Sequence, residues 1–503
     1  MLEKIKNKIL NKDENKTTKL TKSLDKNINI FKKVLENNDS IIYRTFIDKT
    51  SNKRKYCIIY CDGMADKPSI NEYIIDPIMK NEESRSNIDD LLNDTICYSG
   101  MKTMDDLDQL IDAILYGDTV LIEDNNNKAA IFDTKGWQIR NISEPEAEVV
   151  LRGPREGFTE SINVNLSLIR RKILSKDLKY KYKILGKQTK TKICICYMEN
   201  IASDKIVEEV EKRLDDIDID GILDSGYIDE LIRDEPLSPF ITIGYTERPD
   251  VVAANLLEGK VALICDGTPA VLTIPFLFIE YFQANEDYYN NFIYSSINRM
   301  LRYIGFFLTT STPAIYLALV TYHQEMIPTP LLISISAARE GVPFPTIFEA
   351  MAMTFVFEVL REAGVRLPKP IGATISIVGA LVLGDAAVKA KFVSAPIVII
   401  VGLTGISSFL VPKMLGAIII IRVIFLLLAS FLGLYGYIFG VIGLFIHLMS
   451  MRSFGVPYMM DLVSTEYQDI KDTAIRAPWW CMEYRPKFIS NRKNRIRKKN
   501  STK

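Results

Sequence analysis

At 100° per residue, the stretch 345–362 puts Met351, Phe355, Glu358 and Glu362 on one helix face, with Glu349 on the opposite side. Repeated around a symmetry axis, Glu358 and Glu362 would form acidic rings that favour cations. Met351 and Phe355 would form a hydrophobic constriction able to gate by dewetting. An interfacial helix with an ordinary Glu358–Arg361 surface pair fits the same residues, and spacing leaves both readings open. Three more polar side chains fall in apolar surroundings. Arg422 interrupts an otherwise uncharged run, where it is costly unless it faces protein or water. Asp385 and Lys389 stand one helical turn apart and can pair.

Enzymatic chemistry finds no such support. The chain has no Gly-rich phosphate loop, no G-x-S-x-G elbow and no metal-binding His pair, so no catalytic residue, cofactor or metal is expected. The two histidines, His323 and His447, lie in or beside apolar runs. Seven cysteines (Cys57, Cys61, Cys97, Cys194, Cys196, Cys265 and Cys481) read mostly as small buried hydrophobes in a reducing compartment. With 62 basic and 62 acidic residues, the balance argues against nucleic acid as a partner.

These side chains need a scaffold, and charge segregation along the 503 residues supplies one. A stretch of about 20 uncharged residues crosses a hydrocarbon layer. Spans are expected over about 303–322, 371–390, 393–411, 414–432 and 434–450, the last two divided at Gly433. With 345–362 as a re-entrant or pore helix, they make an all-α polytopic membrane domain over 296–452. The basic tail 453–503, and Arg299 with Arg302 ahead of the first span, put both ends in the cytoplasm. That requires an even number of crossings where the clear spans number five. Either 345–362 also crosses or one C-terminal span is a hairpin.

The front half is expected to be α/β and soluble, in two similar lobes over 41–145 and 191–295. In the first, Tyr56–Tyr60 precedes Ala65-Asp66-Lys67, and Gly117 leads into Val120-Leu121-Ile122 and Asp124. In the second, Ile193–Tyr197 precedes Ser203-Asp204-Lys205, and Gly259 leads into Ala262-Leu263-Ile264 and Asp266. The shared pattern is a helix, a C-capping Gly, then a buried strand ending at an acidic turn residue. Residues 1–40 read as a disordered or frayed charged lead-in, and 146–190 as a connecting loop and helix. The connector's Arg152, Arg155, Arg170 and Arg171 suit solvated or interlobe ion pairs better than a phosphate site.

Six segments resemble the A subunit of spore germinant receptors, the GerA family. They are Gly153–Ser161, Thr246–Val251, Asp266–Pro269, His323–Thr329, Arg339–Pro345 and Leu360–Arg366, in the family's order from about Glu144 to Trp480. The resemblance implies an inner-spore-membrane protein that works with a transporter-like B subunit and a lipoprotein C subunit. It also implies self-association, as a pentamer, into an ion channel that opens when germinant binds the partner; a membrane scaffold without its own conductance is the alternative. Asp385, Lys389 and Lys391 lie where many relatives carry Gln and small residues, so gating or partner contacts are expected to differ there.

Overall fold

The computed structural model describes residues 19–48, 54–80, 96, 100–136, 148, 150, 152–366, 384–460, 472–482, 485 and 489–490. The chain divides into two compact units, one made chiefly of Met1–Ile232 and Ile243–Pro275, the other chiefly of Phe276–Tyr484.

The first unit contains two five-stranded antiparallel sheets of the same topology. Lobe 1 runs α1 (Leu24–Val34), β1 (Ile41–Ile47), β2 (Lys55–Cys61), a helical segment α2 (67–80), β3 (Met101–Met104), α3 (Leu107–Tyr116), β4 (Thr119–Glu123) and β5 (Ala129–Phe132). Lobe 2 repeats it as α4 (Ile162–Lys172), β6 (Leu178–Leu185), β7 (Thr191–Met198), α5 (Asp204–Asp215), α6 (Ser225–Ile232), β8 (Gly244–Thr246), α7 (Pro249–Glu258), β9 (Val261–Cys265) and β10 (Val271–Ile274). The strand orders are β1-β2-β4-β5-β3 and β6-β7-β9-β10-β8, so each strand has its counterpart at the same place. The central strands β4 and β9 are buried throughout, as unbroken apolar runs require.

The repeat reaches further toward the N-terminus than the strand pattern indicates. Residues expected as lead-in and connector each supply the first helix of a lobe, and one device starts both helices. Asn165 is fully buried; its Oδ1 accepts from the Thr159 amide (2.8 Å) and its Nδ2 donates to the Thr159 carbonyl (2.6 Å). Asn27 makes the same pair with Thr21, at 2.8 and 2.6 Å. The leading amides of the two helices, Leu24 and Ile162, donate to Asp124 and Asp266, both at 3.0 Å. The acidic turn residues read from sequence thus cap the helices of their own lobes. Gly117 and Gly259 end α3 and α7 in the left-handed region, at φ 102° and 103°, where a Cβ is strained.

Arg170 on α4 is buried rather than solvated. It donates to the carbonyls of Ser175 (3.0 Å) and Leu178 (3.3 Å) and stacks over Tyr180. Lobe 1 meets the same place: the Asp39 amide donates to the Tyr180 carbonyl (2.9 Å) and the Tyr182 amide to the Asp39 carboxylate (2.9 Å).

Burial pushes the thiols of this unit upward: Cys57 and Cys265 to about 12, and Cys194 well above its ordinary value.

The second unit is helical. Its elements are α8 (Phe292–Tyr322), α9 (Thr329–Arg339), α10 (Thr346–Arg366), α11 (Ala395–Ser408) and α12 (Leu415–Ser450). Among the described residues, α8 and the 412–450 stretch holding α12 are long and apolar enough to cross a membrane. Helix α12 is not straight. Gly433 leaves helical geometry at φ 60°, ψ −140°. The rings of Phe425 and Tyr437 then pack 5.5 Å apart, where twelve residues of straight helix would separate them by about 18 Å. The break is therefore a reversal, and the two halves form a helical hairpin. Most of the expected span 371–390 lies outside the described residues; 384–389 is helical.

Two outcomes follow from the lobes. Asn165→Ala should destabilise lobe 2 by about 1–2 kcal/mol, because it removes both partners of the half-buried Thr159 amide and carbonyl; denaturant unfolding followed by the signal of the first unit would show it. At pH 8, iodoacetamide should modify the exposed Cys481 and leave Cys57, Cys61, Cys194, Cys196 and Cys265 untouched until denaturant is added, as read by mass spectrometry.

Candidate functional site

The helical unit brings polar side chains together at two levels of its apolar core. The first is built on Arg422 of α12, which is 1% exposed. Its Nε donates to the Thr309 carbonyl (2.9 Å), Nη2 to the Thr309 hydroxyl (2.9 Å) and Nη1 to Glu358 (3.2 Å). Arg361, one turn along α10, pairs with the other Glu358 oxygen. The Thr309 hydroxyl also donates to the Thr404 carbonyl on α11 (2.9 Å). Helices α8 and α10 thus meet the guanidinium of α12 directly, and α11 joins through Thr309, so that polar groups in apolar surroundings find partners.

The second level is built on Glu349, on the opposite side of α10 and also buried. One carboxylate oxygen accepts from the Ser394 amide that starts α11 (2.8 Å), and the other lies 3.9 Å from Arg339 Nε at the end of α9.

The four residues expected to share a face of α10 are divided by the structure. Phe355 is 70% exposed and Met351 38%. Glu362 is exposed beside Arg366, at 2.8 Å. Glu358 is instead drawn to the flank between Arg422 and Arg361. Glu358 stands 60° around the helix from Phe355 and 40° from the buried Thr354, close enough to the buried side for a long carboxylate to reach the guanidinium. The exposed stripe continues through Phe348 and Val359. Asp385 and Lys389 pair at 2.6 Å with both side chains exposed.

Sequence reasoning isolated Arg422 and Glu349 but missed their partners Thr309, Ser394 and Arg339. A threonine within a helix and a serine and an arginine at helix ends carry no periodic signal of a distant partner. Arg299 and Arg302, read from the sequence as a basic flank of the first span, have acidic partners that the sequence did not indicate. Arg299, fully buried, pairs with Asp287 (3.4 Å) and Asp472 (3.0 Å), and Arg302 with Asp287 (2.7 Å), so both flanking arginines are neutralised within the protein. Among the described residues, no group of three or more His, Cys, Asp or Glu could hold a metal ion.

Duplicated α/β lobes followed by apolar helices cored by a buried ion pair define a protein with a folded polar half and a lipid-compatible half. Comparison with known proteins gives the family. Residues 29–488 match the family described as Bacillus/Clostridium GerA spore germination protein, and the chain belongs to it. Spore germination protein KA of Bacillus subtilis (strain 168) is 45% identical over 94% of this chain and 87% of its own length. A second protein of that strain, named Uncharacterized membrane protein YfkQ, is 41% identical over 94% and 93%. The N-terminal domain of the A subunit of the Bacillus megaterium spore germinant receptor GerK3 is 35% identical, covering 52% of this chain and 98% of that one, with a TM-score of 0.42.

Arg422→Ala should destabilise the helical unit by about 3–5 kcal/mol, because it leaves Glu358 and Thr309 buried and underpaired. The double replacement Arg422→Leu with Glu358→Leu should recover part of that loss. Thermal unfolding in detergent, read by near-ultraviolet circular dichroism, checks both.

Proposed function

We propose that the chain is the A subunit of a spore germinant receptor and acts in nutrient-triggered germination as an oligomeric ion channel. Its membership of the GerA family supports the receptor role. The channel reading is carried by one observation: α10 holds an exposed stripe of Phe348, Met351, Phe355 and Val359 that ends at exposed Glu362, while its opposite side is fixed by Glu349 and its flank by Glu358. A helix anchored on one side and bare on the other suits a position around an axis shared with further copies. In this reading Phe355 and Met351 form the constriction and Glu362 the acidic ring at one mouth. Glu358 holds the helix orientation through Arg422.

The proposed setting is the inner membrane of the spore, crossed several times, with lobes and basic tail on the cytoplasmic side. The partners are a transporter-like B subunit, a lipoprotein C subunit, membrane lipid and other copies of the chain, in a pentamer. Germinant bound to a partner would open the pore by releasing the anchored side of α10.

A scaffold that passes conformational change to another protein is the second reading. It is favoured by the capture of Glu358, which removes one of the two expected acidic rings.

Ion flux into liposomes carrying the chain, alone and with its partner subunits, separates the two. Phe355→Ala should leak cations without germinant, and Glu362→Gln should weaken the preference for cations over anions. Absence of flux from wild type and from Phe355→Ala, with insertion verified, would leave the scaffold.

A further inference from the structure

Beside the Glu349 level lies a cavity of about 260 Å³. Its polar lining is Thr321 and Gln324 at the end of α8, Arg339 at the end of α9, Thr346 at the start of α10, and Ser430 just before the α12 reversal. Two of the sequence segments singled out above, 323–329 and 339–345, meet here without serving the ion pair or the exposed stripe.

The cavity's chemistry is that of an anion site. Arg339 Nε has no hydrogen-bond partner, and its nearest acid, Glu349, stays 3.9 Å away. The leading amides of α10, at Thr346 and Ile347, have no intrahelical acceptor, and a helix of 21 residues adds its dipole there. Lys391 approaches Gly341, two residues past Arg339, and adds positive charge to the same loop. Behind Arg339, the Glu349 oxygen that faces it at 3.9 Å likewise has no hydrogen-bond partner. Of the lining residues Arg339 carries the one charge, with Glu349 3.9 Å behind it, and Thr321, Thr346 and Ser430 add neutral hydroxyls from α8, α10 and α12.

A guanidinium fork beside a helix N-terminus matches a planar carboxylate better than a spherical ion. The volume lies below the range of drug-sized pockets, so the occupant is a small solute. We propose that this cavity binds a small carboxylate, held by Arg339 and the first turn of α10. Its occupancy would tie α8, α9 and the α12 reversal to the start of α10.

The site does not depend on conductance, so its test uses binding alone. The full chain, in a detergent and buffer free of carboxylates, is titrated with sodium acetate at ionic strength held constant with chloride. Acetamide, the neutral isostere, is the control. Thermal unfolding and isothermal titration are expected to report saturable binding of acetate and none of acetamide.

Arg339→Gln should weaken acetate binding by about tenfold or more, the loss of one charge-assisted hydrogen-bonded pair. Glu349→Gln should tighten it severalfold, because a competing negative charge leaves while an oxygen acceptor for the Ser394 amide remains. Ser430→Phe, which fills the cavity from α12 and leaves the charges in place, should abolish binding and serves if Arg339→Gln does not fold. Acetate acting no differently from chloride or acetamide, or binding unchanged in both Arg339→Gln and Ser430→Phe, would overturn the proposal. Normal ion flux beside absent acetate binding would refute the site while leaving the channel intact.

Discussion

A guanidinium enclosed by apolar helices is tolerable only if nearly every donor it carries finds an acceptor, and Arg422 imposes that condition on the whole helical unit. Meeting it fixes the depth of Thr309, the rotation of α10 through Glu358, and, by way of Thr309 and Thr404, the seat of α11. Apolar packing alone would let helices of Leu, Ile and Phe slide and rotate at little cost. The ion pair removes that freedom on one flank of α10 and the buried Glu349 removes it on the far side, so the face left between them and solvent is the stripe that carries Phe355 and Glu362.

A similar logic governs the α/β unit, with hydrogen bonds in place of charge. Each lobe closes by having an acid at the end of a central strand, Asp124 or Asp266, accept the first amide of the helix that opens the lobe. Strand and helix lie about a hundred residues apart in sequence, so the bond cannot form until the lobe is complete. The buried Asn27 and Asn165 set the preceding turn, and their repetition with the same pairings and nearly the same distances ties the two lobes to one ancestral solution of the same packing problem.

The two polar levels of the helical unit differ in their surroundings. Every nitrogen of the Arg422 guanidinium has an acceptor, which suits a fixed support. Arg339 leaves its Nε without one and lines a cavity, which suits a place where something binds. Both levels touch α10, from opposite sides, so the helix with the bare stripe is also the one most exposed to changes at either.

The sequence alone determined those features that arise from near neighbours. Apolar run length marked the first long helix and the tract broken at Gly433. The repeated helix, Gly and buried-strand order showed two α/β lobes, because a C-capping glycine and an unbroken β-branched run are written within a dozen residues. Helical periodicity also put Glu349 opposite Phe355. Tertiary structure decided what depends on distant partners. The helix within 146–190 was expected as a connector, and the charged stretch before 41 as lead-in; that each opens a lobe was not legible because its first amide is capped by an aspartate far along the chain. The division of the last apolar tract at Gly433 was legible, while the tight packing of its two halves, with Phe425 against Tyr437, was not. Glu358 left the face that periodicity assigned it because the free energy of pairing a buried Arg422, 64 residues away, outweighs a preference of side-chain direction.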